Sequence, residues 1–468
     1  MSDRGAHAWA CEQFDFADLP DRRLLKDACK VVAAMAANPQ SSLPKQAEGW
    51  AETMGTYRLL HNARVTPEAI QSGAIELTRR ACASPAVTLM LHDLSELKPV
   101  HQVSDTKLLQ YTTLAVSSDA GAGGAVYGVM HQRWLDDPRV EAGETRRQRR
   151  GRWRRSQVWP EAVEAVGEAV GEGRWIHVAD READDFQMFQ ACRSAGQGFV
   201  IRAQHDRLLE GEGGMRLRAA MADEPASGGL LVHVNRRGAV GEAAPPRRRR
   251  SKQAGRVARC LVRHRPITLA PPRNDSRYRQ NQPMYAVHVQ ELDPPADVTR
   301  PLDWLLLTSE PVDDFADAMR VIGYYRRRWL IEEYHKAQKT GCRLEKTQLQ
   351  DRAAFIRLAA ITGLLAARLL QLREQADDPL TAETPAKDHI DDPMWIRIVS
   401  HLARHDDPST LSVRQFYGTL ARLGGHLGRK HDGRPGWQAL WDGWQTVAAY
   451  VTGAHLAQSL SHPPPDCV

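Results

Sequence analysis

Apolar residues recur at helical spacing through the first eighty residues of the chain. The stretch 21–37 begins with an acidic residue, carries apolar residues three and four apart and stops at Asn38-Pro39, a pattern typical of an amphipathic helix. Two further helices are predicted from about Trp50 to His61 and from Pro67 to Cys82. The pattern therefore predicts a helical domain over residues 1–70.

Runs of consecutive apolar residues replace the helical pattern after this domain. The runs 86–91, 112–117 and 125–130, with a Gly-rich turn at 121–124, predict three strands of an antiparallel meander. A helix, a strand, a helix and a strand are then predicted at 160–171, 175–179, 184–194 and 199–203. The order β-β-β-α-β-α-β is typical of a ribonuclease H-like core, so the chain is expected to belong to the α/β (α+β) class.

A stretch rich in Gly, Pro and Arg interrupts this core at about 205–302. Short strand candidates at 230–234, 256–263 and 284–292 predict a β-rich insertion. The apolar run 304–309 returns the chain to the core. A long apolar helix is predicted at 358–372, a polar linker at 377–392 and helices in the last seventy residues. These boundaries predict a catalytic domain over 71–374 and a helical C-terminal domain over 375–468.

Composition places the chain among multidomain proteins with buried cores. It has 468 residues, of which 42% are hydrophobic and 26% charged, enough for two or three domains. We expect no apolar run that approaches the length of a membrane span, and the N-terminus lacks the apolar segment of a signal peptide. The seven Cys residues are odd in number and include no C-x-x-C pair, which argues against a disulfide framework. A cytoplasmic protein is therefore expected.

The positive charge of the chain is concentrated in two runs. The net charge is +6, with seven arginines between Arg146 and Arg155 and four more at Arg247–Arg250. Such runs indicate a polyanionic partner, of which nucleic acid is the commonest. A solubilising loop in an Arg-rich proteome is the alternative interpretation of either run.

Three carboxylates are candidates for a metal site. Asp93 and Asp180 each follow an apolar run that predicts a strand, and Glu332 lies on a predicted helix bounded by Gly323 and Gly341. An isolated Asp at a strand end is more often a turn residue or a helix cap. Three carboxylates together suit a hard cation such as Mg²⁺, and two such ions can promote phosphoryl transfer. Nucleotide-binding, zinc-protease and serine-hydrolase motifs are absent from the sequence.

Four polar residues surround Glu332 in a regular spacing. Tyr325, Arg328 and Glu332 are separated by three and four positions and Lys339 lies seven further on, which predicts one helix face. A solvated, salt-bridged helix surface is the alternative interpretation. The apolar Trp329 within this stretch and the neighbouring apolar run 304–308 favour a site.

The spacing of these four residues matches the Y-(2)-R-(3)-E-(6)-K signature of bacterial insertion-sequence DDE transposases. The chain resembles the insertion-sequence-four family over nearly its whole length. Further similar segments are 178–184, 199–202, 304–312, 328–341, 368–374, 421–425 and 437–444.

The resemblance implies a DNA transposase with a ribonuclease H-like catalytic core. It implies that Asp93, Asp180 and Glu332 bind the metal, expected as two Mg²⁺ ions with Mn²⁺ as an alternative. The reaction expected is cut-and-paste transposition, in which a nick at the transposon end, a hairpin and its resolution precede strand transfer of the 3′-hydroxyl into target DNA. The partners expected are double-stranded DNA and a second copy of the chain, joined through the C-terminal helices.

The resemblance also assigns DNA contacts. Trp304 matches an aromatic residue that stacks on a flipped base, and Arg22, Arg23 and Arg58 fall in the region that binds the transposon end. The remaining expected contacts are Tyr325, Arg328, Lys339 and Arg202.

Two positions depart from the family member that the chain resembles most. Glu96 adds an acid shortly after Asp93, and Gln338 replaces an aromatic residue in the signature helix. Two other functions stay open on the sequence. A junction resolvase would keep the carboxylates without needing Trp304 or the large insertion. A non-catalytic inhibitor of transposition would typically lose the triad or the end-binding residues, and both are present.

Overall fold

The computed structural model describes most of the chain. The described residues are 3–47, 49–84, 86–118, 125–137, 153–234, 255–272, 279–296, 298, 301–376, 382–390, 392–429 and 434–461. The predicted Gly-rich turn at 121–124, the basic run 247–250, residues 146–152 of the other basic run and part of the linker 377–392 lie outside these residues.

The described residues contain fourteen α-helices. They are α1 Asp3–Phe14, α2 Arg22–Ala37, α3 Leu43–Gln46, α4 Trp50–His61, α5 Pro67–Ala81, α6 Val158–Val166, α7 Phe186–Ser194, α8 Leu217–Asp223, α9 Phe315–Arg327, α10 Trp329–Lys336, α11 Arg352–Ala376, α12 Pro393–Ala403, α13 Val413–Leu423 and α14 Trp437–Ser461.

The same residues contain nine β-strands. They are β1 Val87–Leu97, β2 Leu108–Ser117, β3 Val126–Asp136, β4 Arg174–Ala179, β5 Gly198–Arg202, β6 Gly228–Val234, β7 Arg256–Leu269, β8 Gln282–Glu291 and β9 Asp303–Thr308. The element order β1-β2-β3-α6-β4-α7-β5 confirms the predicted sequence of strands and helices. The structure is therefore mixed α/β.

The chain folds into two compact units. The first contains Met1–Arg155, Ala169–Gly173 and Trp329–Val468, and the second contains Ser156–Glu168 and Arg174–Arg328. The predicted boundaries at residues 70 and 374 do not coincide with this division and stay predictions.

Two N-terminal helices of the first unit, α2 and α5, begin at residues whose side chains cap them. The Asp21 carboxylate accepts a hydrogen bond from the Leu24 amide at 2.9 Å, and the Thr66 hydroxyl accepts one from the Ala69 amide at 3.0 Å. Such caps satisfy amides that have no partner inside the helix. The three predicted helices are confirmed as α2, α4 and α5, whereas α1 and α3 were not predicted.

Strands β3, β2 and β1 form the sheet of the first unit, in that order and antiparallel throughout. The predicted meander is thus confirmed, but β1 continues well past the predicted end at Leu91. Continuous burial stops at His92, while pairing with β2 continues to Leu97, which is buried again. The apolar pattern missed the half-buried residues 93–96, of which three are polar, because strands pair through backbone groups whatever their side chains are.

Helix α11 is the core helix of the first unit. Phe355 and Leu370 on it are fully buried, and burial of such a side chain stabilises the fold by roughly 1.5–3 kcal/mol. Its buried Arg357 donates to the carbonyl of Leu60 at 2.9 Å, which joins α11 to the end of α4. The stretch Arg352–Gln371 is long and apolar enough to span a membrane, with 89% of its apolar window buried in the protein. The expectation of no apolar run of that length is therefore wrong, although this burial is typical of a core helix.

The second unit is built on a six-stranded mixed sheet in the order β4-β5-β9-β8-β7-β6. Strands β4 and β5 are parallel, and the remaining neighbours are antiparallel. Helix α7 connects β4 to β5, since parallel neighbours need a crossover. The predicted insertion supplies β6, β7 and β8, which extend the sheet beyond β9, together with the short helix α8 that was not predicted.

Candidate functional site

The signature stretch is two helices, not the single predicted one. Helix α9 ends at Arg327, Arg328 lies in a turn, and α10 begins at Trp329. The predicted start near Gly323 is also wrong, because the helix begins at Phe315, where the Asp314 carboxylate accepts a hydrogen bond from the Asp317 amide at 2.8 Å. A single glycine inside a helix costs only about 1 kcal/mol, so the cap decides the boundary.

The same stretch ends in a π-helical turn, Ala337–Gly341. Gly341 is the last residue of this turn, as the predicted glycine stop requires, and the left-handed residue that follows is Arg343, with φ of 53°. Gly341 is required for another reason, since a Cβ there would lie 2.8 Å from the Trp437 ring. π-Turns inside helices are rare and are frequent at functional sites.

The division into units falls between Arg328 and Trp329. Tyr325 and Arg328 therefore belong to the second unit, and Glu332 and Lys339 belong to the first. The prediction that these residues share one continuous helix face is wrong, because the helix is interrupted at Arg328.

Asp93 lies inside β1 in the first unit, opposite Thr112 of β2. The prediction that a strand ends immediately before it is wrong, as the polar half of β1 continues to Leu97. Its side chain is 21% exposed, and its Oδ2 lies 3.5 Å from Nε2 of His335 on α10. Helix α10 packs on β1, so Asp93 faces the helix that carries Glu332.

Lys339 reaches the same strand from the π-turn. Its Nζ donates to the Ser95 hydroxyl at 2.7 Å and to the Glu96 carbonyl. Burial lowers the pKa of Lys339, while the carboxylates of Glu345 and Asp93 oppose that shift. Ser95 and Asp93 are two residues apart on β1 and so project from one face of the sheet. Lys339 therefore brings a cation close to the Asp93 side of β1.

His335 is the buried neighbour of Asp93. Burial, assisted by the charge of Lys339, lowers its pKa to about 3, so its imidazole is neutral near pH 7. Glu332 lies three positions earlier on α10 and is half-buried. Residues three apart project from the same side of a helix. The first unit therefore presents Asp93, His335 and Glu332 along one packed seam.

The additional acid Glu96 is not part of this seam. Side chains alternate along a strand, so Glu96 projects from the face of β1 opposite Asp93. Its carboxylate pairs with Lys107 at 3.1 Å, and this hydrogen bond is the main cause of the lowered pKa of Glu96. The structure thus gives Glu96 a local ion pair.

Asp180 lies in the second unit, directly after the last residue of β4, as predicted. Its Oδ1 accepts a hydrogen bond from the Glu182 amide at 3.0 Å and caps the 3₁₀ turn Arg181–Ala183. The alternative interpretation of Asp180 as a cap is therefore correct for its Oδ1 atom. The side chain is half-buried.

Trp304 and Tyr325 form an aromatic pair in the second unit. Their ring centroids are 5.5 Å apart in an edge-to-face arrangement, and Tyr325 is buried at 6% exposure. Arg202 donates to the carbonyl of Asp303, next to Trp304, at 2.7 Å. Three predicted DNA contacts are thus neighbours in space.

Sequence reasoning missed two cations beside this pair. Burial, followed by repulsion from Arg202, lowers the pKa of Arg181 below its usual range, and Arg218 adds to that repulsion. Arg218 pairs with the Asp303 carboxylate at 3.1 Å. Arg181 could have been noticed because it follows Asp180, whereas nothing in the sequence marks Arg218. Crowded guanidinium groups favour an anion between them.

The end-binding arginines of the first unit are exposed. Arg22 and Arg23 open α2, and Arg58 lies in the last turn of α4. A helix N-terminus carries unpaired amides and a partial positive charge that attract phosphate. The geometry leaves all three side chains accessible to a large partner.

Metal ligation is not visible as a preformed cluster. Within the part of the chain that the structure describes, no group of three or more His, Cys, Asp or Glu side chains is arranged to hold a metal ion. Asp93 and Glu332 belong to the first unit and Asp180 to the second. The triad therefore stays a prediction.

Two family models match the chain. One, described as transposase DNA-binding, covers residues 6–65. The other, described as the transposase Tn5 dimerisation domain, covers residues 396–463. The chain is a Tn5-like transposase. The first match includes α2 and α4 of this transposase with the exposed arginines, and supports DNA as its partner.

The second match includes α13 and α14 of the transposase and supports a homodimer. The tryptophans Trp437, Trp441 and Trp444 on α14 are buried within the chain at 3–5% exposure. The ring centroids of Trp444 and Trp395 are 4.3 Å apart. These tryptophans therefore pack within the chain.

Proposed function

We propose that this transposase moves DNA by cut and paste, with Asp93, Asp180 and Glu332 as the metal-binding residues of a ribonuclease H-like core. The observation that carries the proposal is the packing of α10 on β1 in the first unit. This packing brings His335 to the Asp93 carboxylate and Lys339 to the next residues of the same strand. A helix that served only as a solvated surface would not bury an imidazole against a carboxylate.

The donor set fits a hard divalent cation. All three proposed ligands supply carboxylate oxygens, which Mg²⁺ and Mn²⁺ prefer, and Mg²⁺ needs only a few protein carboxylates beside substrate phosphate. Asp93, Asp180 and Glu332 are each half-buried, accessible to both an ion and DNA. Bound there, the cation would supply Lewis-acid activation of the attacking hydroxyl and neutralise charge on the phosphate.

The remaining groups of the chain would hold the DNA. Lys339, beside Asp93, would contact a phosphate next to the cut. In the second unit, Arg202 and Arg181 would hold phosphates near Asp180, together with Tyr325 and Arg328.

Trp304 would stack on a base displaced from the duplex when the hairpin forms. Stacking of this kind contributes roughly 1–3 kcal/mol per base. The edge of Tyr325 against Trp304 would fix the orientation of the indole plane. This pair supports a transposase that passes through a hairpin rather than a nuclease that only cuts.

The triad is tested by single Ala replacements of Asp93, Asp180 and Glu332. Each should abolish Mg²⁺-dependent cleavage of a duplex that carries the inverted repeat flanking the coding sequence, because each removes a ligand. Binding of the same duplex should persist, because residues 6–65 are unchanged. Cleavage is measured on labelled duplex in gels, and binding by mobility shift.

A matched control lies on the same strand. Glu96→Ala removes a carboxylate three residues from Asp93 that projects from the other face of β1 and pairs with Lys107. It should keep cleavage near the wild-type rate. Cleavage that survives in all three triad variants would disprove the site, and loss in Glu96→Ala equal to that in Asp93→Ala would make the effect nonspecific.

A further inference from the structure

His335 is a buried polar side chain without a hydrogen bond. It is 4% exposed, and neither ring nitrogen has a hydrogen-bond partner among the described residues. A buried donor left without a partner costs about 1–3 kcal/mol. Such groups are rare in folded proteins, and a specific instance needs a specific reason.

The nearest acceptor is the carboxylate of Asp93. The separation of 3.5 Å between Nε2 and Oδ2 exceeds the roughly 2.7–3.2 Å of an ordinary N–H···O bond by only a few tenths of an ångström. A ring nitrogen of imidazole donates a hydrogen bond only when it carries a proton. The contact therefore requires the tautomer with the proton on Nε2, which would donate to Oδ2.

Two neighbours of His335 already have hydrogen-bond partners of their own. The Tyr334 ring packs edge-on at 5.4 Å between centroids, and its hydroxyl is occupied by the Gln132 side-chain amide at 2.8 Å. Lys339, the nearby cation, already donates to Ser95 and to the Glu96 carbonyl. The Asp93 carboxylate is the acceptor that the structure places beside Nε2.

We infer that His335 is a positioning residue, which orients the Asp93 carboxylate by a hydrogen bond from Nε2–H to Oδ2. The inference rests on the proposed function of Asp93 as a metal ligand. Carboxylates that bind metals are held by hydrogen bonds of this kind, and loss of one typically weakens metal affinity 10- to 100-fold.

The test measures binding of Mn²⁺ to the full-length protein by calorimetry or electron paramagnetic resonance, alongside the Mg²⁺ concentration that gives half-maximal cleavage. His335→Leu should weaken Mn²⁺ binding about 10- to 100-fold and raise the Mg²⁺ requirement similarly. His335→Gln places an amide N–H close to the position of Nε2, so it should restore binding to within about threefold of wild type.

Two controls separate positioning from general damage to the helix. Tyr334→Phe removes the neighbouring buried hydroxyl and its bond to Gln132, so it should lower thermal stability without changing Mn²⁺ affinity. His335→Asn places its donor near Nδ1 instead of Nε2. It should bind Mn²⁺ as weakly as His335→Leu, and it provides a polar second variant if the Leu variant fails to fold.

Each outcome bears on one conclusion. Unchanged Mn²⁺ affinity in folded His335→Leu or His335→Asn overturns the inference while the site can stand, provided that Asp93→Asn weakens binding. If Asp93→Asn binds Mn²⁺ as wild type does, the proposed site itself is wrong. If His335→Gln binds as weakly as His335→Leu, imidazole acts as a direct ligand, and the positioning role is overturned.

Discussion

Burial decides the protonation of His177, a core residue of β4. It is fully buried, its Nε2 contacts the side-chain oxygen of Gln197, and burial lowers its pKa from 6.5 to about 4. Between about pH 6.5 and 4, His177 is therefore protonated in the unfolded chain but not in the folded protein. Neutral, buried His177 therefore leaves the free energy of unfolding undiminished above pH 6.5, and that free energy falls as the pH falls from 6.5 to about 4.

We therefore predict that acid destabilises the second unit through this residue. Between pH 7 and 4, protonation linked to His177 should lower the free energy of unfolding by roughly 3 kcal/mol, since each pKa unit corresponds to about 1.36 kcal/mol. His177→Gln should be less stable than wild type at pH 7 but lose less on acidification, as followed by urea denaturation at pH 7, 5.5 and 4.5.

His233 on β6 provides the control for this prediction. Its side chain is exposed in the folded protein, as it is in the unfolded chain, so His233→Gln should keep the wild-type dependence on pH. A His177→Gln variant with that same dependence would show that other groups cause the acid sensitivity.

At the scale of elements, a buried amide network holds the signature stretch. Gln338 of the π-turn and Gln110 of β2 exchange two side-chain hydrogen bonds, at 2.6 and 3.3 Å, and the Trp134 indole donates to Gln110 at 2.9 Å. Gln338 also donates to the Ala359 carbonyl of α11 at 2.8 Å. An amide thus occupies the aromatic position of the family signature, and its bonds compensate for burial.

Gly363 on α11 makes room for an extension of this network, in which Gln110 and Gln132 both donate to the Thr112 hydroxyl. A Cβ there would lie 2.7 Å from the Gln132 side-chain oxygen and 2.9 Å from the Tyr334 hydroxyl. Gly363→Ala should therefore destabilise the protein by about 1–3 kcal/mol, the usual cost of overpacking a core. The change would be measured as a lowered midpoint in thermal denaturation.

The matched control is Gly55→Ala on α4. Nothing lies within 4 Å of a Cβ at Gly55, so alanine there should stabilise its helix by roughly 0.5–1 kcal/mol. If Gly363→Ala gained stability as Gly55→Ala does, the buried network would be shown to accommodate the added methyl group.

At the scale of the whole molecule, the dimerisation segment depends on close packing of α13 and α14. A Cβ at Gly443 would lie 1.7 Å from the Leu420 carbonyl oxygen, and a Cβ at Gly424 would lie 1.9 Å from that of Ala439. The two helix backbones therefore touch at glycines. This packing lies inside the segment 396–463 that matches the dimerisation family.

We predict that Gly443→Ala weakens the dimer. Separating α13 from α14 should cost about 1–3 kcal/mol and displace the surface that a second copy would bind, so the dimer dissociation constant should rise roughly 5- to 150-fold. Sedimentation across a range of concentrations measures it. Binding of DNA by residues 6–65 should be retained.

Gly453→Ala on the same helix is the control, because nothing lies within 4 Å of a Cβ there. It should dimerise as wild type does. If Gly443→Ala also dimerises normally, the α13–α14 contact does not support the interface.

Local interactions explain what the sequence by itself determined. Helices α2 and α5 were located correctly because their caps, Asp21 and Thr66, are neighbours in the chain of the amides that they bind. The strand order and the position of Asp180 followed from apolar runs. The signature spacing marked Glu332 and Lys339, and the comparisons agree with the family that it indicated.

Only the tertiary structure decided features that depend on partners distant in sequence. Asp93 lies inside β1 because β2 continues to pair with a polar half-strand that the hydrophobic pattern does not show. His335 became a candidate because folding removes it from water and sets it against Asp93, 242 positions away in the numbering. The π-turn at Gln338 is anchored by Gln110 and Ala359. Hydrogen bonds between buried polar groups need exact placement of both partners, which no local pattern specifies.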